Sequence, residues 1–70
     1  MTRIEWEKDN FEFVNGPTLV LPIDGDIYHF YYILGSNQDT DVCVVFENDV
    51  LKGTFPAEKV HIETKFWIDE

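Results

Sequence analysis

The sequence predicts an all-β fold, a small barrel of five to six antiparallel strands with one short 3-10 turn. Ile and Val together supply 13 of the 70 residues and Thr supplies 5, whereas Ala and Leu together supply only 5. This composition favours pleated strands, where β-branched side chains pack well. Apolar and charged residues also alternate near the N-terminus, and turn-forming residues divide the remainder into short apolar segments.

The N-terminal segment has the alternation of a strand. Ile4 and Trp6 are separated by charged residues, and Phe11 and Phe13 repeat the pattern. A period of two places both apolar residues of each pair on one face of a strand. No helical stripe is present in the sequence, so we expect no helix longer than about two turns.

Two strands separated by a turn are predicted next along the chain. Residues 18–23 form a short strand that ends at Asp24-Gly25, a pair typical of tight turns. Pro22 has no N–H to donate, which indicates a position at the edge of a sheet. Residues 27–34 are apolar or aromatic except for His29, and this pattern predicts a central strand covered on both faces.

The second half of the chain predicts a tight hairpin. Asn48 and Asp49 tolerate positive φ, as the two central residues of such a turn require. The predicted segments here are a polar loop (35–41), a buried strand (42–46), a returning strand (50–55), one 3-10 turn (56–59) and a last strand from Val60. Residues 66–68 end the chain on an apolar patch that needs cover.

We expect one domain spanning residues 1–70, with the barrel core in residues 18–63 and the terminal strands packed on it. Apolar residues make up 44% of the chain and aromatic residues 16%, too much for a disordered acidic tail. The short length leaves room for one modest core. The residues expected to be buried are Leu21, Ile27, Phe30, Val44, Phe46, Phe55, Val60 and Ile62.

Charge and cysteine content narrow the class of protein. The chain carries 14 acidic and 5 basic residues, a net charge of -9, so a basic stripe for nucleic acid is not expected. Cys43 is the only cysteine, which excludes an internal disulfide and fits a reducing compartment. No apolar run approaches the ~18 residues of a membrane span. We therefore expect a cytoplasmic protein that does not bind membranes.

The segment Gly53-Thr54-Phe55-Pro56-Ala57-Glu58-Lys59-Val60 resembles the closing segment of Src-homology-3-type barrels, Gly-x-aromatic-Pro-x-x-Tyr-Val. Gly25-Asp26 is similar to the diverging turn of that family. The resemblance covers about residues 18–63 and implies an SH3-like barrel. The family's peptide-binding members use aromatic side chains where this chain has Asp41-Val42 and Lys59, so the resemblance does not extend to a proline-rich ligand.

No constellation for catalysis, a metal or a cofactor is recognised. Cys43 lies between valines and next to a carboxylate at Asp41, surroundings that favour a core residue over a nucleophile. His29 and His61 have no ligand spacing to each other or to the cysteine. Residues 37–41 imitate the first half of a calcium-binding loop but lack its later glycine and glutamate. The protein is therefore expected to be non-enzymatic.

Carboxylates recur at a spacing of two residues. On a strand, such side chains project from one face about 7 Å apart, close to the separation of successive phosphates on a nucleic-acid strand. This favours an inhibitor or decoy, of the kind carried by bacteriophages or mobile elements, that mimics DNA on the basic surface of a nucleic-acid-handling host protein and binds no nucleic acid itself. Its candidate contact residues are Glu5, Glu7, Asp24, Asp26, Asp39, Asp41, Glu47 and Asp49.

Two alternatives to this hypothesis stay open. The acidic residues would also keep a small apolar barrel soluble. Asp41 and Glu47 flank the aggregation-prone segment 42–46, where their charges oppose association of this strand with other chains. A second function class is a protein-interaction module, a monomer or a homodimer, that docks through an exposed aromatic face. The aromatic candidates for that face are Tyr28, Tyr31, Tyr32 and Trp67. Phe30 belongs to the same aromatic run, and Trp6 is an alternative to Trp67.

Overall fold

A short helix, six strands and one 3-10 turn are present in residues 1–12, 14–37, 40–62 and 66–69, the parts that this computed structural model describes. The mostly β, antiparallel character predicted from composition is confirmed. The elements are α1 (Arg3–Asp9), β1 (Leu19–Ile23), β2 (Asp26–Ile33), β3 (Val42–Glu47), β4 (Val50–Pro56), the 3-10 turn (Ala57–Lys59), β5 (Val60–Ile62) and β6 (Phe66–Ile68).

The strands form two antiparallel sheets. The larger has the order β1-β2-β3-β4, so each strand pairs with its neighbour in sequence, and β5 and β6 form a separate two-stranded sheet. Among the described residues neither sheet closes on itself, so the expected barrel is not confirmed. Two-residue turns explain the pairing of β1 with β2 and of β3 with β4, because such turns can join only adjacent antiparallel strands.

Two tight turns are confirmed at the predicted positions. Asp24 and Gly25 join β1 to β2 with φ of 51° and 88°, and Asn48 and Asp49 join β3 to β4 with φ of 50° and 68°. Two successive positive φ angles match the right-handed twist of the flanking strands. Asp and Asn accept this conformation more readily than other residues with a Cβ atom.

The predicted N-terminal strand is wrong, because residues 3–9 form α1. Thr2 is its N-cap, and a capping box joins Thr2 and Glu5 through the side chain of each and the backbone N–H of the other. These hydrogen bonds satisfy N–H groups that the first turn leaves unpaired. Ile4 and Trp6 therefore do not share a face: Ile4 is 58% exposed, whereas Trp6 is 9% exposed.

The core lies in two layers, one on each face of the larger sheet. Beneath α1, Trp6 packs on Tyr31, Val44 and Phe46, with ring centroids 4.7 Å from Tyr31 and 5.4 Å from Phe46. We call this the helix-side face. On the opposite face, strands β5 and β6 help to cover a second cluster made of Phe30, Cys43 and Val45.

The core prediction is confirmed for Phe30, Val44 and Phe46, which are buried. It is wrong for Ile27, which is 42% exposed because it lies outside both packed clusters, beyond the part of the sheet that α1 covers. The remaining expected core residues are half-buried and pack against the second cluster: Leu21, Phe55, Val60 and Ile62.

Candidate functional site

The two tight turns place four carboxylates at one end of the larger sheet. Because β2 and β3 are antiparallel, the start of β2 lies beside the end of β3, and residues 24–26 and 47–49 meet there. We call this region the turn end. Asn48 joins its two halves: its backbone N–H donates to the Ile27 carbonyl at 2.8 Å, and its side-chain amide donates to Asp26 at 2.9 Å.

Asp49 also attaches the helix to the turn end. Its carboxylate accepts a hydrogen bond from Arg3 Nε at 2.7 Å, and its carbonyl accepts one from the Arg3 backbone N–H at 2.8 Å. The hydrogen bond from Arg3 holds the pKa of Asp49 below its usual value. A second carboxylate, Glu7, accepts from Arg3 Nη1 at 3.2 Å and from the hydroxyl of Tyr31. Burial raises the pKa of Tyr31.

Glu47 is held on the opposite face of the sheet. It accepts a hydrogen bond from the Tyr28 hydroxyl at 2.8 Å and from Lys52 Nζ at 3.1 Å, and both lower its pKa. The hydrogen bond to Glu47 raises the pKa of Tyr28 to about 12. Lys52 also lies 5.9 Å from the centroid of the Tyr28 ring.

Asp41 lies at the other end of the sheet, before β3. Its two carboxylate oxygens accept from the Gly35 backbone N–H at 2.8 Å and the Tyr32 hydroxyl at 2.9 Å. Its carbonyl accepts from the Ala57 backbone N–H at 3.0 Å. An open cleft of about 250 Å³ is lined by Tyr32, Asp41, Ala57 and Glu58. Asp39, the predicted neighbour of Asp41, lies outside the described residues.

The predicted ladder of evenly spaced carboxylates does not include the N-terminal pair. Residues two apart on a helix point about 200° apart, so Glu5 and Glu7 are not on one face. Glu5 instead closes the capping box with Thr2, whose hydroxyl lowers the pKa of Glu5. Only this capping pattern, a Thr three residues before a Glu, could have revealed the helix from the sequence.

Six of the predicted contact carboxylates accept hydrogen bonds from the chain itself. The groups that donate to Glu5, Asp26 and Asp41 are neutral, so these hydrogen bonds bring no positive charge to offset the carboxylates. Of the basic residues within the described ranges, Arg3 and Lys52 are already paired with carboxylates. At the turn end, Asp49 and Glu47 are therefore paired with cations, whereas the contacts described for Asp24 and Asp26 include no ion pair.

The four predicted aromatic contact residues are not equally accessible. Tyr31 is 1% exposed beneath α1, and Tyr28 is half-buried with its ring 6.1 Å from that of Phe30. Tyr32 is 47% exposed and Trp67 is partly exposed. The ring of Trp67 stacks on His61 at 5.3 Å. The structure does not gather the four rings on one face.

Reactive side chains show packing rather than an assembled centre. Burial raises the pKa of the Cys43 thiol to about 11, which keeps it protonated. His61 Nε2 lies 2.6 Å from the Asp69 carboxylate. The described residues contain no group of three or more His, Cys, Asp or Glu side chains that could hold a metal ion. They also contain no helix that is long and apolar enough to cross a membrane.

Comparison with known proteins gives no relative: the chain matches no protein-family model, no curated protein and no solved structure.

Proposed function

We propose that this protein is a non-enzymatic acidic inhibitor or decoy that binds the basic surface of a nucleic-acid-handling protein. The observation that carries the proposal is the turn end, where Asp24, Asp26, Glu47 and Asp49 come together on two tight turns joined by Asn48. Carboxylates on rigid turns lose little conformational freedom when a partner binds, which lowers the cost of association.

The protonation states support this proposal. Hydrogen bonds lower the pKa of Glu47 and of Asp49, so both stay ionised at neutral and mildly acidic pH. A net charge of -9 on 70 residues would also speed encounter with a basic partner. Glu5 and Glu7 lie on a helix, and Asp24 and Asp49 lie in turns, so the carboxylate pairs do not repeat along a strand. The proposed mimicry is therefore one of charge density and not of regular geometry.

The proposal is tested by capture of a partner. The protein is immobilised, exposed to a bacterial lysate at low salt and washed with duplex DNA or with rising salt, and released proteins are identified by mass spectrometry. We expect nucleic-acid-handling proteins, displaced by both washes, and no retention of DNA by the protein alone. Partners that stay bound in high salt and in excess DNA would contradict the proposal.

A second candidate function is favoured by the exposed rings of Tyr32 and Trp67. Here the protein is an interaction module that docks through these rings. Binding by this route depends on apolar burial, so it survives high salt and is lost on replacement of Tyr32 or Trp67 by Ala. Salt dependence of the captured complex therefore separates the two functions.

We also propose that the larger sheet and β5 together form an SH3-like barrel. The order of strands from β1 to β5 supports it, as does the 3-10 turn that follows Pro56 and leads into β5 at Val60. Backbone nuclear Overhauser effects between β5 and an edge strand of the larger sheet would establish closure. Their absence in a fully assigned spectrum would leave a layered sandwich instead.

A further inference from the structure

An apolar patch remains open on the helix-side face. Val20 lies opposite His29, and Pro22 lies opposite Ile27, so each pair projects from one face of the sheet. His29 in turn lies opposite Phe46, which belongs to the helix-side cluster. We call Val20, Pro22 and Ile27 the β1 patch. Val20 is 48% exposed and Ile27 is 42% exposed, although both lie beside a packed core.

The length and attachment of α1 explain why this patch is open. Seven residues of helix are about 10 Å long, whereas four strands spaced ~4.8 Å apart span about 14 Å. The helix begins beside the β3–β4 turn, where Arg3 bonds to Asp49 and Thr2 forms a bridge with Val50. Its buried ring, Trp6, packs on residues of β2 and β3.

The patch is bordered by negative charge. Asp24 follows β1 directly. The Asp49 carboxylate lies 3.9 Å from His29 Nδ1. Of the basic residues of α1, Arg3 is held by Asp49 and Glu7, and Lys8 lies in the last turn of the helix. Lys52 is bonded to Glu47 on the opposite face. An occupant of the patch therefore meets carboxylates and few available cations.

We infer that the β1 patch docks the apolar side chains of an amphipathic, basic segment of a protein partner, whose Lys or Arg residues reach Asp24 and Asp49 at the turn end. The inference rests on the proposed function and states where the partner's apolar residues sit. A chain that carried charge alone would leave Val20 and Ile27 in water. Apolar side chains flanked by cations match both features of this surface.

His29 adds a second sign of incomplete packing. Its Nδ1 is buried and is the one such side-chain atom in the described ranges that lacks a hydrogen-bond partner. Buried polar atoms without partners are rare, because the lost hydration is not replaced. His29 lies between Val20 and Phe46 in register, at the border between the covered and the open parts of this face.

A second copy of this chain is a poorer occupant. Two copies would each bring a net charge of -9. Strand pairing along β1 is also hindered, because the N–H and C=O of Ile27 both bond to Asn48 on the β3 side. Pro22, opposite Ile27, therefore directs its own backbone atoms to the open edge, where it has no N–H to donate.

The test uses a synthetic helical peptide in which Leu residues form one face and Lys residues the other. Oligolysine and a Leu/Glu peptide of the same pattern serve as control ligands. In ¹H–¹⁵N spectra of the whole protein, the Leu/Lys peptide is expected to shift the amides of Val20, Ile27, His29 and Asp49. The Leu/Glu peptide is expected to shift none of them, and oligolysine is expected to bind more weakly.

Substitutions then locate the contact. Val20→Thr combined with Ile27→Thr keeps the β-branching and strand preference of both residues and is expected to lower affinity for the Leu/Lys peptide about tenfold. The matched control is Val50→Thr. Val50 is also exposed and in a strand, but it lies opposite Glu47, on the other face. This control is expected to retain the original affinity.

Three results would overturn the inference. If the Leu/Lys peptide binds in a salt-dependent way but shifts Asp41 and Glu58 and is insensitive to the double substitution, the patch is not the site and acidic binding survives. If neither basic peptide binds at low salt, the docking inference fails, and partner capture from lysate decides the proposed function separately. If the patch amides shift with protein concentration alone, the occupant is a second copy.

Discussion

Arg3 and Asp49, 46 positions apart in the chain, are joined by a hydrogen-bonded ion pair of 2.7 Å. The Arg3 backbone N–H donates to the carbonyl of the same aspartate, so one hairpin turn holds the first turn of α1 through both side chain and backbone. Because Asp49 needs a positive φ of 68° to make that turn, the geometry of the turn and the position of the helix are coupled.

Arg3→Gln is expected to loosen α1 while leaving the larger sheet folded. It removes the charge from the links to Asp49 and Glu7, but the capping box at Thr2 remains. Hydrogen exchange should quicken at the α1 amides relative to those of β2 and β3. Lys8→Gln is the control, since Lys8 lies in the same helix and is exposed. Equal exchange rates in the two variants would contradict this role of Arg3.

Stability should fall at both extremes of pH. Asp49 and Glu47 have folded-state pKa values below the ordinary 3.8 and 4.5, so the stability they contribute is present above those values and is lost as pH falls further. The pKa of Tyr28 is raised from 10.0 to about 12, so its contribution is present below 10 and is lost as pH rises toward 12. The free energy of unfolding in urea, measured across the pH range, gives both the acidic limb and the alkaline limb of this dependence.

Variants identify the groups behind each limb. Tyr28→Phe removes the hydroxyl that donates to Glu47 and should flatten the alkaline limb. It should also move the pKa of Glu47 back toward its ordinary value, since that hydrogen bond is the largest cause of the shift. An unchanged alkaline limb in Tyr28→Phe would assign the effect to another group, such as Tyr31.

Trp6→Ala is expected to destabilise the protein by about 3 to 5 kcal/mol, because it empties the centre of the helix-side cluster. Ile4→Ala is expected to cost less than about 0.5 kcal/mol, since Ile4 is exposed. In a strand the two residues would share a face and both substitutions would be costly. Similar losses for the two variants, measured by denaturant unfolding, would therefore restore the strand prediction and exclude α1.

The sequence predicted the features that depend on neighbouring residues. The Asn48-Asp49 turn could be predicted because its positive φ angles are a local requirement of the residues themselves. The helix was missed because alternation at Ile4 and Trp6 outweighed a capping signal that involves only Thr2 and Glu5.

The remaining differences come from long-range packing. The exposure of Ile27 depends on how far α1 extends across the sheet, and the residues of β2 do not determine that distance. The carboxylate pairs could be predicted as pairs, but not their partners. Arg3 reaches Asp49, and Asn48 reaches Asp26, only after the hairpins and the helix have assembled. The contacts at the turn end therefore depend on the topology of the assembled fold and could not be predicted from neighbouring residues.

Gly53→Ala is expected to destabilise the protein by about 1 to 3 kcal/mol through overpacking. A Cβ atom at Gly53 would lie 2.7 Å from the Phe55 ring, which crosses above the glycine. That ring helps to cover the cluster that includes Phe30 and Val45. Phe55→Leu should remove much of the clash, so the double variant should lose less stability than the sum of the two single variants. Strict additivity would show that the ring moves aside freely.

Asp24→Asn is expected to weaken binding of the captured basic partner about two- to fivefold, as loss of one exposed charge does. Asn accepts the φ of 51° at this position, and the structure describes no hydrogen bond of Asp24 to lose, so the fold should be unchanged. Glu58→Gln removes the same charge at the Asp41 end of the sheet and should leave affinity unchanged.

The loss for Asp24→Asn should shrink as salt rises, because charges farther apart than about 8 Å are screened at physiological ionic strength. Titration calorimetry at three salt concentrations measures this. Equal losses of affinity for the two variants would show that binding depends on the total charge of the protein and not on the turn end.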